Sequence, residues 1–416
     1  MKKIALIVQR YGLEVNGGAE YHCRLIAEKL SAGFEVEVLT SCAQDHFTWA
    51  NEYPEGVTEI NGVKVRRFPT LQQRNKGKVH QLLKKLNNRT FTQQVLRFFG
   101  FLMAADRLFP SSESIMAIGD KWSEQQGPYT RDLITHLRNN HSDYEALIFF
   151  TYLYYPTFYG LRIAPQKSIL IPTAHDEPAI HLPVFKSFFR APKAILYNTK
   201  AEKKLVNQLF NNDDIYSDLV GVGIETTGAV TQLSASTILK SDAPYLIYIG
   251  RIDPGKGCDL MLEYFLKYKM LTQQTVKLVL VGKLFMKIPA DPDIIHMGFV
   301  REEVKLTLLR GAKALIMPSH YESLSMVTLE SMLEGVPVIA NEYCEVLRDH
   351  VRDSEAGFTF TDFDSFGVAV DQVLNCDKAF AILQENGKKY VIENYNWVLI
   401  LDKFAQAIDY VASNNK

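Results

Sequence analysis

The chain has 416 residues, of which 47% are hydrophobic and 22% charged, and its 46 Lys and Arg nearly balance its 47 Asp and Glu. This composition excludes a disordered chain, a collagen-like fibre and a small disulfide scaffold, and the length favours two domains. The net charge of −1 gives no support to nucleic acid as the main partner, because phosphate binding needs an excess of cations.

Short aliphatic runs alternate with longer amphipathic stretches along the chain, which is typical of βαβ units with buried parallel sheets. In the first half, strands are predicted at residues 4–8, 36–40, 63–68, 146–150, 168–171, 194–197 and 218–223. In the second half, strands are predicted at residues 245–250, 277–282, 294–298, 314–318 and 336–340. The pattern therefore predicts an α/β protein with two doubly wound domains.

Residues 225–244 are rich in Thr, Ser, Ala and Gly without a clear period, and they predict a connector. We therefore expect a first domain at 1–224, with a helical insertion at about 71–130, and a second domain at 225–396. Apolar residues at helical spacing over 398–411 predict a terminal helix, which we place at 397–416 and expect to return to the first domain. Thr199 and Glu202 have the spacing of a helix capping box.

The five cysteines are odd in number and widely spaced, which indicates a reducing compartment rather than disulfides or a zinc site. The apolar run at residues 4–8 is too short for a signal peptide, and no run reaches the about 20 residues that span a bilayer. We expect a cytoplasmic protein, and a peripheral contact with the inner face of a membrane stays open.

Charge is unevenly distributed, because residues 60–105 hold ten cations and no Asp or Glu, while the rest of the chain holds 36 basic and 47 acidic residues. The cations of this basic segment are Lys64, Arg66, Arg67, Arg74, Lys76, Lys78, Lys84, Lys85, Arg89 and Arg97. Cations interleaved with apolar residues suit a membrane surface or an anionic acceptor, over about 64–107. They equally suit a helical insertion whose apolar face packs on the first domain and whose cations are solvated.

The sequence GRIDPGKG, at residues 250–257, follows the first predicted strand of the second domain. Parallel sheets bind ligands at the carboxyl ends of their strands, glycines allow close approach of the backbone, and Arg251 with Lys256 supplies two positive charges. The segment suits a diphosphate, although an ordinary loop with solvated cations has the same composition.

A second motif, HYESLSMVTLE, follows the strand predicted at 314–318 and places seven residues between Glu322 and Glu330. If a helix starts near Ser325, its free N–H groups can bind phosphate oxygens while nearby carboxylates accept hydrogen bonds from sugar hydroxyls. Taken alone, Glu322 is equally a solvated loop residue and Glu330 a favourable charge near a helix start.

These two motifs, together with NGGAE at residues 16–20 and HDEP at residues 175–178, resemble the family 4 retaining glycosyltransferases over nearly the whole chain. The resemblance implies the GT-B fold, in which two Rossmann-like domains face each other across a cleft. It implies that Arg251 and Lys256 hold the nucleotide diphosphate, that Glu322 contacts the donor sugar and that Glu330 holds the ribose. Many members have Gly where this chain has Ser323 and Ser325, which we interpret as a change in sugar contacts.

The resemblance extends to two elements of the first domain. Gly17 and Gly18 precede an amphipathic run, and the resemblance implies a loop that closes over the donor phosphates, whereas the residues alone equally describe a plain turn. His175 follows the strand predicted at 168–171, and its match in the family lies near the donor sugar and the acceptor. We expect His175 to orient one of these substrates. The aromatic residues over 152–159 either line an acceptor pocket or pack in the core.

Base recognition is expected from backbone groups near Gly298, Phe299 and Val300, which leaves uracil and guanine open. Further expected donor contacts come from the second motif, at Leu324, Ser325, Met326 and Val327. Because two cations can neutralise the leaving diphosphate and no Asp cluster has metal spacing, we expect neither a metal nor a cofactor.

The resulting prediction is a retaining glycosyltransferase that moves a hexose-type sugar from a UDP- or GDP-sugar to a glycan, lipid-linked or other surface-polysaccharide acceptor. His175, Arg251, Lys256 and Glu322 are the expected catalytic residues. A nucleotide-sugar epimerase or phosphorylase of the same fold, or a non-catalytic nucleotide-sugar-binding protein, remain alternatives, because fold does not determine function.

Overall fold

The computed structural model describes residues 1–15, 17–87, 112–225 and 233–413, and the chain forms two compact units. Unit 1 comprises Met1–Val220 and Leu401–Lys416, and unit 2 comprises Gly221–Ile400.

Unit 1 contains an eight-stranded sheet in the order β3-β4-β2-β1-β5-β6-β7-β8, parallel except for β3. Its strands are β1 (Lys3–Ile7), β2 (Glu35–Ser41), β3 (Gly56–Ile60), β4 (Val63–Phe68), β5 (Ala146–Phe150), β6 (Ser168–Ile171), β7 (Ala194–Tyr197) and β8 (Tyr216–Leu219). Its helices are α1 (Gly18–Leu30), α2 (Lys76–Asn87), α3 (Ser112–Gln126), α4 (Arg131–Asn140), α5 (Tyr155–Gly160), α6 (Phe185–Phe188) and α7 (Lys200–Phe210).

Unit 2 contains a six-stranded parallel sheet in the order β11-β10-β9-β12-β13-β14. Its strands are β9 (Tyr245–Ile249), β10 (Lys277–Val281), β11 (Ile294–Gly298), β12 (Ala314–Met317), β13 (Val338–Asn341) and β14 (Gly357–Phe360). Its helices are α8 (Ala235–Leu239), α9 (Cys258–Thr272), α10 (Glu302–Arg310), α11 (Met326–Leu333), α12 (Glu345–Ser354), α13 (Phe363–Asn375) and α14 (Asp377–Asn394). The last helix, α15 (Trp397–Ser413), passes from unit 2 into unit 1 along the chain.

The central strands of both sheets are buried along their whole length, because crossover helices cover both faces of a parallel sheet. In unit 1 this core includes an aromatic cluster in which Tyr152 and Phe158 pack with Phe185 of α6, and Tyr155 packs with Tyr129 and Tyr159. Of the two alternatives left open for the aromatic run, core packing applies to Tyr152, Tyr155 and Phe158, which are at most 4% exposed.

Each strand predicted from an aliphatic run is present, most of them within two residues of the predicted ends. The strand predicted at 218–223 starts and ends earlier, as β8. Two strands, β3 and β14, were not predicted. The β3 signal is Asn61 followed by Gly62, both with positive φ (50° and 78°), which is the two-residue turn favoured in β-hairpins.

The predicted connector contains a short helix, α8, which Ser234 caps by accepting a hydrogen bond from the Thr237 N–H. The predicted cap at Thr199 is also present, since its hydroxyl accepts from the N–H of Glu202. In the terminal helix, Tyr410 stacks on Tyr216 of unit 1 with ring centroids 4.4 Å apart.

Part of the expected insertion lies within the described residues, as α2 and α3, whereas residues 88–111, including Arg89 and Arg97, lie outside them. Val79, Leu82, Leu83 and Leu86 of α2 pack on the core of unit 1. The apolar face of α2 is therefore occupied by protein, while Lys78, Lys84 and Lys85 are exposed.

Besides Lys76, whose ammonium lies over the Phe47 ring, four cations of the basic segment make contacts within unit 1. Lys64 and Arg66 pair with the buried carboxylate of Glu37. The Arg67 guanidinium is buried over the Tyr53 ring. The fourth, Arg74, donates to the side chain of Gln126 at 2.7 Å. Over the part of the chain that the structure describes, no helix combines the length and apolar character needed to cross a membrane.

Candidate active site

In unit 2, the two central strands β9 and β12 are neighbours, and the chain continues to opposite sides of the sheet after them. Their carboxyl ends therefore lie at the topological switch point, where open α/β sheets leave a crevice for ligands. The loop after β9 holds GRIDPGKG and the loop after β12 holds the first Glu of the second motif. The topology thus brings the two predicted motifs to one place.

The loop after β9 is organised by Asp253. One carboxylate oxygen of Asp253 accepts from the backbone N–H of Lys256, which closes a short turn over Pro254–Lys256. The other oxygen accepts from Nε of Arg251, whose side chain is 44% exposed. One carboxylate therefore holds both the turn and the first predicted phosphate ligand.

Gly257 ends this turn in the left-handed region, at φ 71°. A Cβ at this position would lie 2.4 Å from the carbonyl oxygen of Pro318, directly after β12. Only glycine permits both the positive φ and this approach, so Gly257 is what allows the two loops to touch.

The contact between the two motifs is an ion pair. Lys256 Nζ lies 2.7 Å from Glu322 Oε1, with side chains 30% and 14% exposed. Partial burial strengthens a charge-assisted hydrogen bond of this length and limits its screening by salt. A cation and a carboxylate from segments 66 residues apart are thus held together at the switch point.

Helix α11 begins at Met326, as predicted, with Ser325 as its N-cap. Ser325 has φ 59° and ψ 69°, and its hydroxyl lies 2.8 Å from the Thr328 hydroxyl. The N–H groups of Met326 and Val327 come before any acceptor within the helix, so this turn presents backbone donors and a partial positive charge. These are the groups that bind phosphate at helix starts.

Glu330 lies further along α11 and pairs with Lys305 of α10, whose Nζ is 2.9 Å from Glu330 Oε2. Lys305 also pairs with Glu302 at 2.8 Å. Burial raises the pKa of Glu330, and Lys305 opposes that shift, while the two carboxylates raise the pKa of Lys305. The structure therefore separates the two glutamates of the motif, with Glu322 on Lys256 and Glu330 on Lys305.

The predicted base-binding residues lie at the carboxyl end of β11, the edge strand of the sheet. Gly298 ends the strand with φ 68° and its carbonyl accepts from the N–H of Gly282. The Phe299 side chain is 73% exposed. Residues 298–300 thus lie at the same sheet edge as the two motifs, two strands away from β9.

In unit 1, Gly17 is the N-cap of α1 and Gly18 its first residue. A Cβ on Gly17 would lie 2.0 Å from Glu20 Oε2, so glycine makes room for this carboxylate. Glu20 in turn forms a buried ion pair with Arg10, at 2.6 Å. The Arg10–Glu20 ion pair therefore stabilises the loop after β1, and this pair was not predicted from the sequence.

His175 follows β6 and is about one-third exposed, with Nε2 3.7 Å from Glu177 Oε2. The other oxygen of Glu177 accepts from the buried Tyr152 hydroxyl at 2.6 Å. Just before His175, the Ala174 N–H donates to Glu202 at 2.5 Å. Burial raises the pKa of Glu202 to about 8.

Several residues that organise these loops were not predicted, although each has a sequence signal. Asp253 precedes a Pro at a turn start, a position that favours Asp. Lys305 lies three and four residues before the buried Leu308 and Leu309, on the buried face of α10, where a charged side chain needs a partner. Another is His350, which lies on the apolar stripe of α12 with Val346, Leu347 and Val351, where a polar residue needs a partner. One of its partners, the carbonyl of Leu324, belongs to the second motif.

Residues 230–390, within unit 2, match the model of the family glycosyl transferases group 1. The chain is a glycosyltransferase. It is 23% identical to an uncharacterised glycosyltransferase of Methanocaldococcus jannaschii over 95% of both chains. It is 25% identical to the lipopolysaccharide 1,2-N-acetylglucosaminetransferase of Salmonella typhimurium over 40% of this chain and 49% of that protein.

Solved structures share the fold of this glycosyltransferase. The sucrose-phosphate synthase of Thermosynechococcus elongatus matches with a TM-score of 0.70 and 16% identity over the whole of both chains. HepE of Anabaena, solved in complex with UDP-glucose, matches with a TM-score of 0.67 and 14% identity over 98% of this chain and all of that one. The chain therefore has the GT-B fold that the resemblance implied.

Proposed function

We propose that the enzyme is a retaining glycosyltransferase that transfers a hexose-type sugar from a UDP- or GDP-sugar to a glycan or lipid-linked acceptor of a surface polysaccharide. The observation that carries this proposal is the Lys256–Glu322 ion pair of 2.7 Å at the switch point of unit 2. It unites a cation suited to phosphate with a carboxylate suited to sugar hydroxyls. HepE, solved with UDP-glucose, and the Salmonella N-acetylglucosaminetransferase support the donor and acceptor classes.

In this proposal both cations exchange partners when the donor binds. Lys256 is held by Glu322 and Arg251 by Asp253, so each is already oriented by a carboxylate. A diphosphate offers more charge than one carboxylate and draws Lys256 away, which frees Glu322 to accept hydrogen bonds from the sugar. The cations and the first N–H groups of α11 then stabilise the charge that develops on the leaving diphosphate.

Retention of the anomeric configuration is proposed to follow a front-face path, in which the leaving phosphate accepts the proton of the acceptor hydroxyl. Arg251 and Lys256 are proposed to neutralise the negative charge of the leaving diphosphate, a role that a divalent metal has in other enzymes. The reaction is therefore proposed to be metal-independent. We propose that His175, fixed beside Glu177, orients the sugar or the acceptor, and that Gly17 and Gly18 contribute backbone donors to the phosphates.

The proposal is tested by Lys256→Ala, with Lys277→Ala as the matched control. Lys277 is a partly buried lysine of the same unit that also pairs with a carboxylate, Asp293, at 2.9 Å, but it lies at the start of β10, away from the carboxyl edge. Removing Lys256 should lower kcat/KM by about 10²-fold or more, the effect of losing one preorganised charge-stabilising group. Lys277→Ala should leave it within a few-fold. Retained turnover in Lys256→Ala would refute the phosphate-binding role.

The donor is identified by thermal shifts with UDP, GDP and their sugars, since a ligand at 100 times its Kd adds about 2.7 kcal/mol of stability. Incubating the stabilising nucleotide sugar without acceptor, and analysing the sugar released, separates transfer from epimerisation or phosphorolysis. Activity should persist in EDTA. Loss of activity in EDTA with recovery on adding Mg²⁺ would contradict the metal-independent mechanism.

We also propose a peripheral membrane contact through α2, where a lipid-linked acceptor would be found. Because the apolar face of α2 packs on unit 1, this contact is electrostatic and rests on Lys78, Lys84 and Lys85, which are exposed.

A further inference from the structure

A buried histidine of α12 contacts the loop that carries Glu322. His350 is 3% exposed, and its Nε2 lies 2.8 Å from the carbonyl oxygen of Leu324, while Nδ1 lies 3.0 Å from the Tyr390 hydroxyl. A carbonyl oxygen only accepts hydrogen bonds, so Nε2 carries the proton and donates to it. Burial lowers the pKa of His350 to about 4, so at neutral pH the ring is uncharged and Nδ1 accepts from Tyr390.

The contacted carbonyl belongs to the peptide group that joins Leu324 to Ser325. Because a peptide group is planar, fixing the direction of the Leu324 C=O also fixes the direction of the Ser325 N–H. Ser325 is the left-handed residue at which the loop turns into α11. The one bond from His350 thus sets the orientation of the turn from which α11 presents its first N–H groups.

We propose that His350 is a positioning residue for donor binding, which acts by holding the Leu324–Ser325 peptide so that the start of α11 is preorganised for the diphosphate. This inference rests on the proposed function for its catalytic meaning, but the positioning itself is a property of the free protein. A strained left-handed turn needs such support, since the free loop would relax to a more common conformation.

The far side of His350 is held by an aromatic cluster of α14 and the residue after it. The rings of Tyr390 and Tyr395 pack at 6.0 and 5.9 Å from the His350 ring, and at 5.7 Å from each other. The carbonyl of Tyr395 accepts from the N–H of Ile224 at 2.7 Å. Contacts within unit 2 therefore connect the loop that carries Glu322, through His350 and Tyr395, to Ile224, near the start of this unit.

Four variants test the proposal. His350→Leu removes both hydrogen bonds, His350→Gln keeps an amide N–H that can reach the Leu324 carbonyl, and Tyr390→Phe removes only the donor to Nδ1. Val351→Ala is the matched control, because Val351 is a buried neighbour on the same helix that belongs to its apolar face. Each is measured by amide hydrogen exchange of residues 320–328 in the free protein and by the donor KM and kcat with the UDP- or GDP-sugar that the wild type uses.

We expect His350→Leu to speed exchange of the Ser325 to Val327 amides by at least tenfold and to raise the donor KM by a similar factor. His350→Gln should restore both, Tyr390→Phe should lie between, and Val351→Ala should lower the unfolding temperature without changing either. Equal exchange rates in His350→Leu and Val351→Ala would overturn the proposal, as would failure of His350→Gln to restore slow exchange. If His350→Leu does not fold, Tyr390→Phe should still speed exchange of these amides while His350→Gln leaves them at the wild-type rate. Equal exchange rates in Tyr390→Phe and the wild type would then overturn the proposal. If exchange responds as expected but the wild type transfers sugar from no UDP- or GDP-sugar, the proposed function fails and the positioning stands.

Discussion

At the scale of single residues, the site depends on backbone conformations as much as on charges. Ser325 has φ 59°, a region that costs a non-glycine residue on the order of 1 kcal/mol or more. The hydrogen bond between its hydroxyl and Thr328 offsets part of that cost. The left-handed turn is thus formed by a serine that binds back to the helix it caps.

Substitution of Ser325 separates these two contributions. Ser325→Gly loses the hydrogen bond but relieves the positive φ, so the free energy of unfolding should stay within about 0.5 kcal/mol of the wild type. Ser325→Ala loses the hydrogen bond and keeps the strain, and should destabilise by about 1 kcal/mol. Urea unfolding measures both. A larger loss for Gly than for Ala would show that the turn is not strained.

At the scale of elements, the basic segment divides into a structural and a solvent-facing part. Its first part is β4, whose cations pair with Glu37 or stack on Tyr53, and its later part is α2, with an apolar face on the core and lysines outside. The spacing of charges along the chain does not separate these parts. Neighbouring residues of a strand point to opposite faces of the sheet, whereas residues of a helix share a face when they are three to four positions apart.

The membrane contact is tested by the double variant Lys84→Glu with Lys85→Glu in α2. Lys200→Glu with Lys204→Glu in α7 is the control, since those lysines are also exposed on a helix of unit 1. Each lysine near an anionic surface contributes about 1 kcal/mol, so sedimentation with vesicles containing phosphatidylglycerol should weaken by at least tenfold for the α2 variant alone. Equal binding of both variants, or no binding by the wild type, would leave the α2 lysines as ordinary solvated charges.

At the scale of the whole molecule, the two units contain buried titratable groups with opposite effects on stability. In unit 1, burial raises the pKa of Glu202 to about 8, so between its ordinary value and pH 8 the folded state binds a proton that the unfolded state has released. Stability therefore falls as pH rises through this range. In unit 2, burial lowers the pKa of His350 to about 4, so between pH 6.5 and 4 only the unfolded state binds the proton, and stability falls as pH decreases.

Calorimetric unfolding between pH 4 and 8.5 checks both signs. As pH rises from 5 to 8, Glu202→Gln should become more stable relative to the wild type, because only the wild type loses the stability that depends on the bound proton. As pH falls from 6.5 to 4, the free energy of unfolding of His350→Gln should rise relative to that of the wild type by on the order of 3 kcal/mol. Differences that do not vary with pH would mean that neither group is perturbed by burial.

The sequence by itself determined the two α/β units, nearly all their strands, the start of α11 and the resemblance to glycosyltransferases. These follow from local hydrophobic periodicity and from motifs whose residues are close along the chain. Only the tertiary structure decided which charges meet: that Lys256 pairs with Glu322, Glu330 with Lys305, and Glu37 with the cations of β4. It also decided that His350 holds the Leu324 carbonyl, because such contacts depend on strand order and helix packing, which bring together residues that periodicity cannot relate.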